Sequence, residues 1–261
     1  MTAASPLRHR ASVLSNRRVA QDTWWLELDS PGIAAASRPG QFVMIGYGIE
    51  NTAAPFLPRP FSVGWRAADG RVGILLRAFG PGTTRMARLR PGEDVLLLGP
   101  LGRPFELGRD RPIVCVAGGV GLAPFLFLAD EARTAGRDVR LLYGERTGGR
   151  VFDPELLASL AGGPAEVWTE DGAVGQRGLV LEGIDWSADR VLLGCGPSLM
   201  LRALAESAAE RGVALQVSVE EHMGCGVGTC QGCVVPRADG GWAKACTDGP
   251  VFEASELAWS P

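Results

Sequence analysis

The sequence predicts a multi-domain β + α/β protein. An antiparallel β-barrel is expected over residues 1–104, a doubly wound parallel-sheet α/β domain over 105–216, and a small cysteine-rich domain over 217–261. Three observations carry this division. Short β-type runs alternate with turn residues up to about Leu98. Beyond Pro112, continuously apolar runs end in glycine turns and lead into helical stretches. Near the C-terminus four of the six cysteines gather as Cys225, Cys230, Cys233 and Cys246. A chain of 261 residues has room for two ordinary domains and a small appendage.

The first part reads as strands at Ala11–Val19, Thr23–Asp29, Gln41–Tyr47, Arg59–Trp65, Val72–Arg77 and Asp94–Leu98. Turn signals separate them: Ser30-Pro31-Gly32, Arg38-Pro39-Gly40, Asp69-Gly70 and Arg90-Pro91-Gly92. Short strands at this spacing suggest a small antiparallel barrel. One helical stretch, about Thr83–Leu89, precedes the last strand. Two loops here carry chemistry. Arg59-Pro60-Phe61-Ser62 follows a proline-rich turn (Pro55, Pro58), and Pro60 lacks an amide donor, which places this strand on an edge or rim. An arginine, an aromatic ring and a hydroxyl within four residues can hold a phosphate, cover a planar ring and bond a ring nitrogen. Gly80-Pro81-Gly82-Thr83 stands immediately before the helix, where exposed amides and a hydroxyl favour an anion such as a diphosphate. Taken singly, the first is also an ordinary strand start and the second an ordinary helix cap.

Gly99-Pro100-Leu101-Gly102-Arg103-Pro104 and Arg111-Pro112 end the first pattern. Ile113–Ala117 is then apolar throughout, as in a strand buried on both faces. A helix is expected from about Leu122 to Ala135, a strand at Val139–Tyr143, a helix near Pro154–Leu160 and a strand at Ala165–Thr169. A strand at Arg190–Leu193, a helix at Ser198–Arg211 and a strand at Ala214–Val219 complete the series. Such βα alternation argues for a parallel doubly wound sheet, whose ligands sit at the carboxyl ends of the strands. The turns there are Gly118-Gly119-Val120-Gly121-Leu122-Ala123-Pro124 and Cys195-Gly196-Pro197. The first is G-x-G-x-x-P rather than the full dinucleotide fingerprint, so its placement between strand and helix carries the signal. Cys115 reads as a small core thiol, and Cys195 as a turn residue able to border a nicotinamide without acting as a nucleophile.

The cysteine spacing is C-x4-C-x2-C-x12-C, with glycine at 226, 228 and 232. Glycines let backbone amides approach sulfur closely. A C-x4-C-x2-C run with a distant fourth cysteine is the plant-type ligand pattern of a [2Fe–2S] centre. Structural zinc is the main rival, although zinc ribbons usually present two short C-x2-C knuckles. A thiol-redox pair at Cys230 and Cys233 is disfavoured because that motif normally opens a thioredoxin-like helix. Asp239-Gly240-Gly241 is a hairpin turn that would return Cys246 to the other three.

Composition narrows the function classes. Hydrophobic content of 46%, charged content of 21% and a net charge of −3 describe a globular chain with no basic surface for nucleic acid or anionic lipid. His9 and His222 are isolated, which weakens any hydrolytic or zinc-catalytic reading. Residues 1–10 lack the apolar core of a secretory signal, and no apolar run is long enough to span a membrane. Clustered cysteines without an export signal point to metal ligation rather than disulfides, and a cytoplasmic location is expected.

The joint order of Arg59-Pro60-Phe61-Ser62, Gly82-Thr83, the glycine turn at 118–124 and Cys195-Gly196-Pro197 resembles the ferredoxin reductase superfamily. With the C-terminal cysteines added, nearly the whole chain resembles the electron-transfer subunits of NAD-linked dihydroorotate dehydrogenases of pyrimidine biosynthesis. The resemblance implies that Arg59, Pro60, Phe61 and Ser62 hold FAD, that Leu75, Leu76 and Arg77 run beside it, and that Gly82 and Thr83 bind its diphosphate. It implies that Gly118, Gly119, Gly121, Pro124, Cys195, Gly196 and Pro197 meet NAD, and that Cys225, Cys230, Cys233 and Cys246 hold a [2Fe–2S] cluster. It further implies an FMN-containing catalytic partner in a heterotetramer, with Gly226, Gly228 and Gln231 around a cluster edge facing that partner. No residue of this chain is then needed as a catalytic acid or base. The choice of NAD over NADP rests on the resemblance, since Arg146 and Arg150 could also attract a 2′-phosphate. Phe61 stands where many reductases have tyrosine, keeping ring packing but losing the hydroxyl. The x12 gap to Cys246 is far shorter than in plant-type ferredoxins. Flavin subunits of NADH-dependent ferredoxin:NADP oxidoreductases and of sulfide dehydrogenase share these motifs and stand as alternatives. A zinc-stabilised, non-enzymatic binding module is the alternative from another class.

Overall fold

The computed structural model describes residues 7–47, 57–108, 111–186 and 189–259. Residues 1–6 and Pro55, which entered the reading of the N-terminus and of the proline-rich turn, lie outside these residues. The first sheet is formed by β1 (Leu7–Ala20), β2 (Thr23–Asp29), β3 (Phe42–Gly46), β4 (Arg59–Ser62), β5 (Trp65–Arg66), β6 (Arg71–Arg77) and β7 (Asp94–Leu101). Their order is β4-β3-β7-β1-β2-β6-β5, with every pair antiparallel. The strand expected at Arg59–Trp65 is broken at Val63-Gly64. Val63 N donates to Gln41 O on the β3 side, and Gly64 N donates to Gly73 O on the β6 side. The two ends of the seven-strand order are therefore one continuous stretch of chain, which curls the sheet into a barrel. Pro60 stands on β4 at the end of that order, where its missing amide interrupts no central ladder.

Alternation fills the barrel. Leu26, Leu28, Val43, Ile45, Val72, Ile74, Leu76, Val95 and Leu97 form its buried core. Ser30-Pro31-Gly32, expected as a turn, opens a short helix α1 (Pro31–Ala36). Proline suits a first helical turn as well as it suits a β-turn, so the local signal is shared. The helix before the last strand, α2, starts earlier than expected, at Pro81, and ends at Met86.

The second sheet contains β8 (Ile113–Gly118), β9 (Val139–Glu145), β10 (Glu166–Thr169), β11 (Gln176–Arg177), β12 (Val191–Cys195) and β13 (Leu215–Ser218). Helices α3 (Ala123–Thr134), α4 (Pro154–Leu160) and α5 (Ser198–Glu210) connect them. Beyond β13 come a hairpin, β14 (Val234–Pro236) with β15 (Trp242–Lys244), and a last strand, β16 (Val251–Glu253). The order β11-β10-β9-β8-β12-β13-β16 is parallel except for β16, which pairs antiparallel with β13. The chain leaves β8 toward β9 on one side and later returns to place β12 on the other. The switch point therefore lies between the carboxyl ends of β8 and β12, where the two glycine turns stand.

The C-terminal segment is fastened to both sheets. β16 extends the parallel sheet, and Arg103 N donates to Gly249 O at 2.6 Å beside the end of β7. Barrel and α/β domain also share a core. Trp25 of β2 is fully buried and meets Phe152 edge-on, with ring centroids 6.1 Å apart and an interplanar angle of 88°. Gly73 of β6 leaves the room this indole needs, since a Cβ there would lie 2.1 Å from the ring. Among the described residues no helix is long and apolar enough to cross a membrane. Trp25→Ala is expected to cost about 3–5 kcal/mol, read by chemical denaturation. An unchanged midpoint would show that this contact does not hold the two domains together.

Candidate functional site

The barrel part of the site is built on β3, β4 and α2. Across the β3–β4 ladder Phe42 faces Ser62, Val43 faces Phe61, Met44 faces Pro60 and Ile45 faces Arg59. All four residues of Arg59–Ser62 are half-buried at the rim. The Arg59 guanidinium lies against Gly82, where a Cβ would come within 2.7 Å of Nε, and Nη1 donates to the Leu57 carbonyl. Two residues not singled out from the sequence join them. Tyr47 Oη donates to Gly82 O at 2.8 Å, and the Arg85 guanidinium sits 4.0 Å above the Tyr47 ring. Burial pushes the Tyr47 hydroxyl up to about 12 against the opposing pull of Arg85 and Arg59, so it remains a neutral donor. Arg59 thus lies at the start of α2, and Arg85, in its last turn, covers the Tyr47 ring. Pro81 has no amide, and Gly82 and Thr83 are the first-turn donors. The Thr83 hydroxyl is turned inward: it accepts from Phe79 N at 3.1 Å and Gly80 N at 3.2 Å, shaping the loop rather than facing outward. Of Leu75, Leu76 and Arg77, Leu76 fills the barrel core, while Leu75 packs into the core of the α/β domain. Arg77 reaches Glu145, at the end of β9.

The α/β part is the meeting of two turns. Gly118 ends β8, Gly119–Leu122 forms a 3-10 turn, and Pro124 lies buried in the first turn of α3. Beside it β12 ends at Cys195, in register with Ala117. A Cβ on Gly121 would lie 2.3 Å from the Cys195 carbonyl oxygen and 2.7 Å from Gly196 N, so the turns touch backbone to backbone. Pro197 and Met200 close over Gly118. Cys195 is buried, and burial, with Glu220 nearby, pushes its thiol well up, which fits a neutral wall residue and no nucleophile. Arg146 is exposed on the loop beyond β9, and Arg150 lies half-buried on the same loop.

The four clustered cysteines arrive as two pairs. Cys225 and Cys230 lie within hydrogen-bonding reach of each other, as do Cys233 and Cys246. Cys225 and Cys246 feel one another electrostatically. Cys230 is exposed, whereas Cys233 and Cys246 are each 2% exposed. The buried pair packs with Ala245 against Phe42, Met44 and Leu101 of the barrel. Gly226, at φ +72°, allows the closest approach: a Cβ there would lie 2.6 Å from Met44 Cγ and 3.0 Å from Leu101 Cδ1. Met44 therefore touches the cysteine loop and lies opposite Pro60 in the β-ladder.

Amides are aimed at the sulfurs. Val227 N and Cys230 N each donate to Cys225 Sγ at 3.4 Å. Burial raises the Cys225 thiol, but these amides, that of Thr229 and the Cys230 thiol outweigh it and bring it down to about 7. Cys246 moves the other way, to about 11, through burial and the neighbouring Cys233. A set of four thiols with inward amides suits anionic iron–sulfur ligation.

Comparison with known proteins agrees in extent and in place. A family model described as the iron–sulfur cluster binding domain of dihydroorotate dehydrogenase B matches residues 220–258. The electron transfer subunit of dihydroorotate dehydrogenase B (NAD(+)) from Geobacillus kaustophilus is 39% identical over 258 residues, covering 96% of this chain and 98% of the relative. The corresponding subunit from Desulforamulus reducens is 36% identical over 259 residues, covering 95% and 97%. A solved NADH-dependent reduced ferredoxin–NADP oxidoreductase superposes with a TM-score of 0.83 at 25% identity, covering 95% of this chain and 90% of that one. The ferredoxin reductase of carbazole 1,9a-dioxygenase shares the fold, with a TM-score of 0.70 at 21% identity over 82% of this chain and 68% of that one.

In the cluster-free chain, alkylation of Cys225 by iodoacetamide is expected to rise through a midpoint near pH 7, because the thiolate gains as pH rises through its pKa. Cys246, at about 11, should remain unmodified at neutral pH, as read by peptide mass spectrometry. Equal labelling of the two would contradict the amide arrangement around Cys225.

Proposed function

The chain belongs to the family of electron-transfer subunits of NAD-dependent dihydroorotate dehydrogenase B, and from that premise we propose that it relays electrons between the FMN of a catalytic partner and NAD+ through FAD and a [2Fe–2S] cluster. The observation that carries this reading is the seating of the Cys233–Cys246 pair and of Gly226 on the barrel strand that also pairs with Arg59–Ser62.

When bound, a flavin supplies what side chains cannot, exchanging hydride with nicotinamide and single electrons with an iron–sulfur centre. The chain's own residues bind and orient. Arg59 would pair with the diphosphate, with the Gly82 and Thr83 amides as donors and Arg85 behind the Tyr47 ring. Pro60, Phe61 and Ser62 would border the ring from the barrel rim, and Leu75 would bound it toward the α/β domain. Gly118, Gly119, Gly121 and Pro124 form one wall for the dinucleotide, and Cys195, Gly196 and Pro197 form the other. Gly121 meets the Cys195–Gly196 backbone directly, and Pro197 and Met200 cover Gly118. Cys225 with Cys230 would hold one iron, and Cys233 with Cys246 the other. Hydride exchange between nicotinamide and flavin needs no acid or base from the protein. The isolated His9 and His222 and the raised thiol of Cys195 suit that requirement.

The division at 1–104, 105–216 and 217–261 then follows the three cofactors, although β16 from the last part completes the sheet of the second. Stable pairing with an FMN-containing catalytic subunit as a heterotetramer, and a cytoplasmic location, complete the proposal.

Mixed with such a partner, the holo chain is expected to support orotate-dependent oxidation of NADH. Cys246→Ser should abolish that coupled activity and the cluster's visible absorbance while NADH still bleaches the flavin. Exchange between NADPH and ferredoxin without any orotate-dependent activity would instead assign the chain to the oxidoreductase whose fold it shares. A colourless, zinc-containing protein would defeat the relay outright.

A further inference from the structure

Arg77 and Glu145 form an ion pair between the barrel and the α/β domain, 68 residues apart in the chain. Their side chains are 20% and 2% exposed. Burying a charged pair brings a desolvation cost that its attraction often only offsets, and apolar residues of similar volume frequently serve stability as well. The position of this pair is more telling than its strength. Arg77 is the last residue of β6, immediately before the loop that leads to Gly82-Thr83. Glu145 is the last residue of β9, at the carboxyl edge of the parallel sheet. Gly119, at φ +58°, lies directly above them: a Cβ there would be 3.4 Å from Arg77 Nη1 and 3.9 Å from Glu145 Oε1.

Both partners are held in place. Arg77 Nε donates to Thr23 Oγ1 at 3.3 Å, and Nη2 donates to Glu145 Oε1. Tyr143 Oη donates to the same carboxylate oxygen at 3.1 Å, and burial keeps that phenol protonated. Glu220, on the segment leading to Cys225, also lies within electrostatic reach of Arg77. Nearby backbone bonds hold the same seam: Gln21 N donates to Gly149 O at 2.9 Å, and Asp153 N to Val19 O at 3.1 Å. With two of its donors committed to protein, the guanidinium is held in one place as a brace.

We propose that the Arg77–Glu145 pair is a positioning device that sets the Gly119–Leu122 turn against the end of β6, and so fixes the approach of nicotinamide to flavin. The proposal rests on the flavin-and-nicotinamide reading given above. It adds that a pair acting through the backbone of that turn governs the rate of hydride exchange, because a small misplacement of bound reactants costs much rate.

The test uses the full chain with its cofactors, as Glu145→Gln and as the double variant Arg77→Met with Glu145→Gln, which leaves no unpaired buried charge. In Glu145→Gln, flavin and cluster spectra should match wild type. Flavin reduction at saturating NADH should fall by about 10- to 100-fold, and the NADH–flavin charge-transfer absorbance should weaken. Hydrogen exchange of amides 118–122, measured on the flavin-free chain, should rise while that of 225–233 does not. In the double variant thermal stability should recover, but the reduction rate and the exchange of 118–122 should not. Recovery of rate together with stability would make the pair merely structural and overturn the proposal. So would a wild-type rate in Glu145→Gln, or loss of flavin from it, which would make the pair a cofactor ligand. If wild-type chain failed to bind flavin, the function proposed above would fall, and the exchange measurement would still decide whether the pair holds the turn.

Discussion

The packing of the cysteine loop onto β3 is the constraint from which the rest of the arrangement follows. Gly226 has no side chain, so its backbone can rest on Met44 and Leu101, and Cys233 and Cys246 are buried with them. Met44 is a deformable, polarizable filler suited to an irregular gap between a metal-binding loop and a sheet. Because the same residue lies opposite Pro60, the cysteine pairs and the Arg59–Ser62 rim are separated by one strand of the barrel. The C-terminal segment is thus no tethered appendage. Its last strand completes the parallel sheet, and its loop at Gly249 is hydrogen-bonded beside the end of β7. A relay needs carriers at fixed short separations, and these shared elements supply fixed separations.

The second requirement is that the three sites differ chemically while sharing one framework. At the barrel rim Arg59 brings positive charge to the start of α2, and a neutral Tyr47, covered by Arg85, ties that helix to the barrel. At the switch point of the parallel sheet the two turns offer mostly backbone, and the thiol of Cys195, which ends β12, stays buried and neutral. In the cysteine loop, amides lower one thiol while burial raises another. Under the proposed reading an anion, a planar dinucleotide and a thiolate-bound metal centre would each find a different kind of surface. None of these surfaces needs a proton-transferring histidine.

Much of this architecture was legible because its signals are local. Thr23–Asp29 and Pro154–Leu160 fall where periodicity and turn residues placed them. Pro60 announced its edge strand through a missing amide. The glycine turns announced the carboxyl edge of a parallel sheet, because only backbone can approach backbone as Gly121 approaches Cys195. Other features carry no local signal. Ser30-Pro31-Gly32 satisfies a turn and a helix start equally, and the fold chose the helix. β16 is three residues long, too short for an alternation to be read, and its partner β13 lies far upstream. Cysteine spacing picked out four thiols, but their division into pairs depends on how Cys246 returns through the β14–β15 hairpin. Tyr47 and Arg85 became visible only when α2 was placed against β3. The Arg77–Glu145 pair joins two domains, and nothing near either residue in the chain points to the other.

The central claim is that the cysteine pairs hold a two-iron centre reached from NADH only through a flavin. Its most direct test is an anaerobic titration of the holo chain with NADH, followed together by visible absorbance and low-temperature electron paramagnetic resonance. The account predicts that flavin absorbance bleaches and a signal integrating to one unpaired electron per chain, with the g-values of a reduced [2Fe–2S] centre, appears in step with it. A chain whose flavin is reduced without any iron–sulfur signal, or whose cluster is reduced by NADH after the flavin has been removed, would contradict it.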